Sequence, residues 1–528
     1  MANKNILLIE PGYKNKYPPL GLMKLAAYHG PHGKNDHVKF IKGDKDRSVF
    51  SVNWDRIYIT TLFSFEWKEI SRAIDYAIAI ARGDTTRVFV GGIAASLMHE
   101  RFVAEQRWLG VRFISGLLSA PPAASLQLDD FAEELYSDDL SGSPIEDLVP
   151  DYSILDQIRD QYVYPVHDAY FLYASRGCVR KCHFCGVPKL EGDQRDAKSI
   201  TGVIRGIEER HGPKRDLMLM DNNVVASPNY KNIIAEIRDN GFERGATFQR
   251  PGKPPVQRRV DFNQGVDARI LCKDKMYLQE MATIAIRPLR IAFDHLGVRK
   301  SYETAINMAH DVGLDYLSNY MLYNFKDTPA DLYERMKLNI DLNEKLNIRI
   351  FSFPMRYQPT DSPERTHHSE HWNRYYLRSM QIILQATHGI VSGAPTFFRQ
   401  AFGTNRDEFE ELLLRPQHFL FNRFWYEFNE GRSDFEAFQS EFDQLSNSDR
   451  SDLATLLSTT TPSGFAGLIG KSNNSKVNRI LHFYVPIDKD KEAGIWKIMR
   501  QRLQETKKPT IDIPEDELVE DAGLLEVA

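Results

Sequence analysis

The feature that most constrains the fold of this chain is a repeated alternation of short apolar segments with longer amphipathic ones. In residues 1–118 the apolar segments read as strands, separated by helical patterns such as Trp67–Ala81. Strands that alternate with helices pair in parallel, so this region is predicted to form a Rossmann-like open sheet. Its predicted strands are Asn5–Glu10, His37–Ile41, Arg56–Thr61, Arg87–Gly91 and Val111–Ser115.

A second alternation begins at Tyr170, after a connecting segment predicted over residues 119–165. Six strand–helix units predict a partial (β/α)6 barrel over residues 166–395. Residues 396–528 are predicted to form a mostly helical C-terminal domain that ends in an acidic tail. The predicted barrel strands are Tyr170–Ser175, Asp216–Met220, Val260–Asn263, Leu289–Asp294, Tyr316–Tyr323 and Ile348–Phe353.

Composition excludes several classes of protein. With 42% hydrophobic and 26% charged residues, the chain of 528 residues resembles a packed globular protein and not a disordered one. A formal net charge of -5 gives no global reason to expect nucleic acid or an anionic membrane as a partner. No window approaches a membrane span, so we expect a cytoplasmic protein with no membrane partner.

Three of the four cysteines lie within eight positions, at Cys178, Cys182 and Cys185. They follow the first predicted barrel strand, at the strand end where catalytic groups of βα barrels lie. Three thiolates at this spacing can bind three irons of a cubane cluster and leave the fourth iron open. Structural zinc is the alternative, but it needs four ligands, and only a distant histidine such as His167 or His211 could complete that set.

The spacing Cys-x3-Cys-x-Phe-Cys, with Phe184 before the third cysteine, resembles the signature of the radical S-adenosylmethionine (radical SAM) enzymes. The resemblance implies a 4Fe-4S cluster whose open iron binds the amino and carboxylate groups of SAM. One electron then cleaves SAM to methionine and a 5′-deoxyadenosyl radical, which abstracts hydrogen from the substrate. The resemblance also implies a partial barrel, a site closed to water, and an electron donor such as flavodoxin or ferredoxin.

Polar residues follow the predicted barrel strands where the family holds SAM. The family usually places a short polar or Gly-rich motif after the second strand to contact the SAM amino group, and Asp-Asn-Asn stands there in this chain. Arg269 could pair with the SAM carboxylate, and Asn263 or Gln264 could reach the ribose or the substrate. Helix caps and turns favour the same residue types, so a purely structural role for these residues stays open. The predicted cofactor-binding residues are Phe184, Asp221, Asn222, Asn223, Asn263, Gln264, Asp267, Arg269 and Asp294.

The first domain resembles that of the cobalamin-binding radical SAM subfamily, in which a first strand is followed by a Pro-Pro-Leu-Gly turn. Here Ile6–Pro11 leads to Pro18-Pro19-Leu20-Gly21. Cobalamin domains that ligate cobalt through a histidine carry D-x-H-x-x-G, and this sequence has no such segment. Other members of the subfamily bind cobalamin without that histidine, so the sequence leaves cobalamin binding open.

The sequence therefore predicts a radical SAM enzyme, with cobalamin-dependent methylation of an unactivated carbon as one reaction it could perform. Cobalamin-independent rearrangement or oxidation, RNA modification and a zinc-stabilised scaffold protein are the alternatives. The basic stretch Gln249–Arg259, with three prolines, could contact RNA, but a solvated loop explains it better. RNA methylthiolation needs a second cysteine cluster, and residues 1–165 contain no cysteine. A small molecule is thus favoured over RNA as the substrate, whose identity the sequence does not give.

Overall fold

The computed structural model of the chain describes residues 3–118 and 144–505. Residues 119–143 of the predicted linker and the predicted acidic tail lie outside the described residues. Among the described residues, no helix is both long and apolar enough to cross a membrane. The predicted domain boundaries at 118, 165 and 395 stay predictions.

Residues 3–118 form a five-stranded, all-parallel sheet with the strand order β2-β1-β3-β4-β5. This confirms the open parallel sheet that the alternation predicts. The order reverses between β1 and β3, which is the position where open α/β sheets bind ligands beyond the carboxyl ends of the strands. The elements are β1 (Asn5–Glu10), α1 (Leu20–His29), β2 (His37–Lys42), β3 (Arg56–Thr61), α2 (Trp67–Ile80), β4 (Val88–Gly92), α3 (Ile93–Leu97), α4 (His99–Ala104) and β5 (Arg112–Phe113).

Successive residues of β1 alternate between two apolar cores. Leu7 and Ile9 pack in a core that covers one face of the sheet, together with residues of α2. Ile6 and Leu8 belong to a larger core that also contains residues of the second alternating region. Because one face of the first sheet is buried against that region, the carboxyl edge of the sheet is held in place relative to it.

The six strands predicted for the second region form two three-stranded parallel sheets, ordered β12-β9-β6 and β13-β14-β15. Parallel bridges from Val260 to Ile286 and from Val266 to Ile291 join the two sheets. Strands and helices are thus mixed as predicted, whereas a single (β/α)6 barrel stays a prediction. The elements are α5 (Ser153–Asp156), β6 (Ala169–Leu172), β7 (Ser175–Arg176), α6 (Val187–Leu190), β8 (Arg195–Asp196), α7 (Ile200–His211), β9 (Asp216–Leu219), α8 (Tyr230–Ile237), β10 (Thr247–Arg250), β11 (Lys253–Gln257), β12 (Val260–Phe262), α9 (Ala268–Leu271), α10 (Met276–Met281), β13 (Leu289–Arg290), α11 (Arg299–His310), β14 (Tyr316–Tyr323), α12 (Pro329–Leu346) and β15 (Arg349–Arg356).

The basic stretch Gln249–Arg259 is not a loop, which corrects the sequence-based expectation. Its residues lie mainly on the antiparallel hairpin of β10 and β11. The hairpin tolerates Pro254 and Pro255 because they lie where its register shifts, between the pairs Phe248–Val256 and Arg250–Lys253, and because β11 has no partner on its outer edge.

The C-terminal region is helical, as predicted. A separate apolar core, which includes Phe438, Phe442 and Leu453, holds its helices together. The elements are α13 (Arg374–Ala386), α14 (Pro395–Phe402), α15 (Arg406–Leu414), α16 (Gln417–Phe421), α17 (Arg423–Phe428), α18 (Arg432–Phe442), α19 (Asn447–Leu457), α20 (Ser475–Ile480) and α21 (Lys489–Glu505).

Candidate functional site

The three clustered cysteines lie on a closed loop between β7 and β8, which includes α6 and which we call the cysteine loop (residues 177–194). The loop is closed at its base because β7 pairs with β8 in an antiparallel register. Gly177 has a φ of 74°, and a Cβ there would lie 2.1 Å from the carbonyl oxygen of Asp193. Cys178 N donates to the carbonyl of Gly192 over 3.3 Å. Only glycine can therefore occupy position 177 in this backbone.

The three cysteines are half-buried, and the thiols of two of them receive backbone hydrogen bonds. Arg180 N donates to Cys178 Sγ over 3.3 Å, and Val187 N donates to Cys185 Sγ over 3.4 Å. Burial raises the pKa of the Cys182 and Cys185 thiols, which favours the protonated form until a cation binds. Amide hydrogen bonds to sulfur are a common feature of iron–sulfur sites, so the donor set fits a 4Fe-4S cluster.

The zinc alternative lacks a fourth ligand of the kind that the sequence suggested. His167 precedes β6 and His211 precedes β9, so both lie at the amino ends of the strands, opposite the cysteine loop. His167 bonds to the carbonyl of Tyr164 over 2.9 Å, and His211 lies 3.6 Å from Asp151. Within residues 3–118 and 144–505, no three His, Cys, Asp or Glu side chains are arranged around a position for one metal ion.

Asp221 anchors the segment that leads into the cysteine loop. Its buried carboxylate accepts hydrogen bonds from Ala174 N at 2.9 Å, Ser175 N at 2.5 Å and Ser175 Oγ at 2.6 Å. Burial raises the pKa of Asp221 to about 6. Both carboxylate oxygens are thus used by the backbone, and contact of Asp221 with SAM stays a prediction.

The next two residues continue this support. Asn222 Nδ2 donates to Glu191 over 3.0 Å, and Glu191 also accepts from Gly177 N over 2.8 Å. Asn222 is therefore linked to both ends of the cysteine loop. Asn223 is buried and accepts a hydrogen bond from Asp267 N over 3.3 Å, which links the ends of β9 and β12.

Asp267 and Arg269 form an ionic group beside the cysteines. Asp267 caps α9 and accepts from Arg269 Nε at 2.8 Å, Arg269 Nη2 at 3.0 Å and Arg180 Nε at 2.6 Å. Burial acts to raise the pKa of Asp267, but these hydrogen bonds outweigh it and hold the pKa below its usual value. Because Arg180 belongs to the cysteine loop, Asp267 ties that loop to the end of β12.

Asp294 completes the charged surroundings of the cysteines. Burial raises the pKa of its carboxyl to about 6, while Arg335 and Arg269 oppose the shift. Asp294 lies close enough to Cys182 and Cys185 to raise the pKa of both thiols.

Sequence reasoning missed Arg335, a fully buried residue of α12. Its Nη1 donates to the carbonyls of Phe293, Asp294 and Leu322 at 3.1, 2.9 and 2.8 Å, and its Nη2 donates to Asp327 at 2.8 Å. Arg335 thereby fixes the ends of the fourth and fifth predicted strands. An arginine on the apolar face of an amphipathic helix is the sequence signal that could have identified it.

An aromatic wall flanks the site. The ring of Phe184 packs edge-on against Phe325 at 5.6 Å, and Phe325 packs against Tyr357 at 4.8 Å. Asn324, with a φ of 66°, holds the segment after β15 by donating to the carbonyls of Tyr357 and His367 at 3.1 and 3.2 Å. The wall places apolar surface next to the third cysteine.

Of the two remaining predicted residues, Asn263 is buried and Gln264 is exposed. Asn263 accepts a hydrogen bond at Oδ1 from the hydroxyl of Tyr17 over 2.6 Å. Tyr17 belongs to the loop after β1, so a residue of the first domain reaches the end of β12. Cys272, for which the sequence favoured a buried apolar thiol, is half-buried after α9.

The carboxyl edge of the first sheet faces the cysteine loop. A Cβ on Gly186 of that loop would lie 2.9 Å from Leu97 Cδ1 on α3, the helix that follows β4. Gly92, at the end of β4, has a φ of 104°, and a Cβ there would lie 2.5 Å from the carbonyl oxygen of Thr61. Close backbone packing thus requires glycine at position 92, whereas a Cβ on Gly91 would make only ordinary contacts, the nearest at 3.8 Å.

Two histidines of the first domain lie away from this edge. His29 bonds to Asp36 over 2.8 Å and to Tyr58 over 3.1 Å, inside the core. His37 begins β2, at the amino end of that strand. His99, in contrast, begins α4 two residues after Leu97, and its Nδ1 is buried without a hydrogen-bond partner among the described residues.

No protein-family model and no curated protein matches the chain. Among solved structures, the chain is similar to the radical SAM methyltransferase TsrM from Kitasatospora setae with cobalamin and a 4Fe-4S cluster bound: 14% identity over 69% of this chain and 77% of that chain, TM-score 0.45. A second TsrM structure, with tryptophan substrate and the SAM analogue aza-SAM bound, is 13% identical over 95% of this chain and 100% of that chain, with a TM-score of 0.47. The cobalamin-dependent SAM radical enzyme OxsB is 12% identical over 99% of this chain and 84% of that chain, with a TM-score of 0.46. These proteins are radical SAM enzymes, the family that the cysteine spacing resembles.

Proposed function

We propose that the chain is a radical SAM enzyme that binds a 4Fe-4S cluster through Cys178, Cys182 and Cys185. The observation that carries the proposal is that one glycine-closed loop presents three thiols beside the charged groups of Asp267, Arg269 and Asp294. When bound there, the cluster supplies an electron that cleaves SAM and yields a 5′-deoxyadenosyl radical for hydrogen abstraction.

The residues around the cysteines provide binding and orientation. Arg269, held in place by Asp267, offers a guanidinium to the carboxylate of SAM, and the carboxyl of Asp294 offers an acceptor to its amino group. Arg335 fixes the backbone that carries Asp294. The wall of Phe184, Phe325 and Tyr357 excludes water on one side.

We further propose that the two three-stranded sheets form the two halves of one partial (β/α)6 barrel. The parallel bridges between residues 260 and 286 and between residues 266 and 291 support this arrangement, since they join β12 to the segments around β13. The predicted boundaries 1–118, 119–165, 166–395 and 396–528 then correspond to a cobalamin-binding-like domain, a linker, the barrel and a helical domain.

The reaction we favour is cobalamin-dependent methylation of an unactivated carbon in a small molecule. Its support is that α3, which begins at the end of β4, packs through Leu97 against Gly186 of the cysteine loop. A corrinoid on that edge would lie next to the substrate and supply a methyl group. This sequence has no D-x-H-x-x-G segment, so the corrinoid would bind without the histidine ligand that such a segment supplies. A cytoplasmic electron donor such as flavodoxin or ferredoxin would supply electrons.

Anaerobic reconstitution with iron, sulfide and hydroxocobalamin tests both cofactors in one sample. The proposal predicts about four irons and four sulfides per chain, and a visible spectrum that keeps the corrinoid bands after gel filtration. Cluster loading without corrinoid retention would support the cobalamin-independent alternative. Zinc at one per chain without sulfide would contradict the proposal.

A further inference from the structure

We propose that Tyr17 of the first domain positions the amide of Asn263 so that its nitrogen donates a hydrogen bond to an oxygen atom of SAM. This inference rests on the proposed function and assigns the first domain a direct part in binding at the cysteine site. Tyr17 and Asn263 are 246 positions apart in the chain, and the Tyr17 hydroxyl donates to Asn263 Oδ1 over 2.6 Å.

Three of the four polar atoms of Asn263 have hydrogen-bond partners in the protein. Its backbone nitrogen donates to Leu219 O over 3.1 Å, and its carbonyl accepts from the Tyr320 hydroxyl over 3.1 Å. Its Oδ1 accepts from Tyr17. Among the described residues, the side-chain nitrogen Nδ2 has no hydrogen-bond partner, and Asn263 is only 5% exposed. Because Nδ2 is not among the fully buried unpaired atoms, it is accessible to a ligand, and a ligand acceptor beside it would gain a hydrogen bond.

Tyr17 is itself held firmly. Two residues earlier, the backbone nitrogen of Asn15 donates to the Tyr162 hydroxyl over 3.1 Å. The same hydroxyl donates to the carbonyl of Asn15 over 2.6 Å. Val166 N donates to the carbonyl of Lys16 over 3.2 Å. The ring of Tyr17 packs edge-on against Phe171 of β6 at 6.1 Å. The hydroxyl therefore has a defined position, and its donation to Oδ1 leaves Nδ2 of Asn263 for another acceptor.

This arrangement has a chemical consequence. With Oδ1 engaged by Tyr17, the amide presents N–H groups and no acceptor to the ligand, so the ligand atom opposite must be an acceptor. SAM offers its carboxylate and its ribose oxygens. Asn263 follows β12, four residues before Asp267, and therefore lies at the strand end that carries the other predicted SAM residues.

The test measures SAM affinity by equilibrium dialysis of labelled SAM against the full-length, cluster-loaded protein, with iron content as a second readout. Tyr17→Phe keeps the ring and removes the hydroxyl. We expect it to load iron as the wild type does and to bind SAM about tenfold more weakly, because the amide loses its fixed orientation. Tyr375→Phe is the matched control, since it removes a buried hydroxyl that donates to Arg415 O over 2.8 Å in the C-terminal region. It should bind SAM as the wild type does.

A double variant separates positioning from a general structural role. If Tyr17 acts through Asn263, then Tyr17→Phe combined with Asn263→Ala should bind SAM no more weakly than Asn263→Ala alone. Wild-type affinity in Tyr17→Phe, or losses that add in the double variant, would overturn the inference while leaving the proposed function intact. A wild-type protein that takes up no iron and binds no SAM would instead overturn the proposed function.

Discussion

Replacing Gly177 by alanine is expected to prevent closure of the cysteine loop. Gly177 and Gly192 share a φ of 74°, so alanine at either position carries the same left-handed backbone cost, roughly 1–2 kcal/mol. The two sites differ in their surroundings. A Cβ at 177 would lie 2.1 Å from Asp193 O and 2.6 Å from its carbonyl carbon, whereas a Cβ at 192 would meet no atom within 4 Å. Gly192→Ala is therefore a matched control.

The clash at position 177 is about 0.9 Å inside the closest approach of 3.0 Å that Cβ atoms make, so the peptide at Asp193 must move by about that distance. Crowding of this kind costs about 1–3 kcal/mol beyond the shared backbone cost. The movement also breaks the hydrogen bond from Cys178 N to Gly192 O. We expect Gly177→Ala to lose most of its iron after anaerobic reconstitution, while Gly192→Ala retains it. Equal iron contents in the two variants would refute the reasoning.

Two further predictions concern buried charges. Asp221→Asn places an amide where three donors now meet a carboxylate, so the variant should unfold at a lower urea concentration and load less iron. Asp216→Asn is the control: it loses hydrogen bonds from Arg259 N and Arg215 at the other end of β9, so it should be destabilised but load iron fully. Because burial lowers the pKa of Lys24 to about 8, the charged form destabilises the fold below that pH. Lys24→Met should therefore be more stable than the wild type at pH 7, by urea unfolding, and its gain should shrink as the pH rises from 8 towards 10.5; a gain that grows with pH would contradict this.

The strands could be predicted from the sequence because their burial depends on local pattern. β1, β3 and β14 begin and end where the apolar segments do, at Asn5–Glu10, Arg56–Thr61 and Tyr316–Tyr323. The cysteine loop follows the first strand of its region as expected. The hairpin of β10 and β11 was not predicted, because Pro254 and Pro255 argue against a strand unless one edge is unpaired.

The roles of the polar residues at the strand ends were harder to predict. Asp221 and Asn222 have the composition of a ligand-binding motif, but their side chains bond to the protein's own loop. A carboxylate that binds a ligand and one that binds a backbone amide look alike in a sequence. The contact of Arg335 with Asp294 and that of Tyr17 with Asn263 join distant parts of the chain, so no local sequence pattern indicates them.

The most direct test of the central claim is the amount of 5′-deoxyadenosine formed from SAM by the cluster-loaded protein under anaerobic conditions with a strong reductant. We expect the wild type to form it. Cys182→Ala, which removes one thiol of the cysteine loop, should form none while keeping its helical circular dichroism. Cys272→Ala, which changes the one cysteine outside the cluster, should form as much as the wild type. Deoxyadenosine from Cys182→Ala, or none from a wild type that has taken up iron and sulfide, would contradict the account.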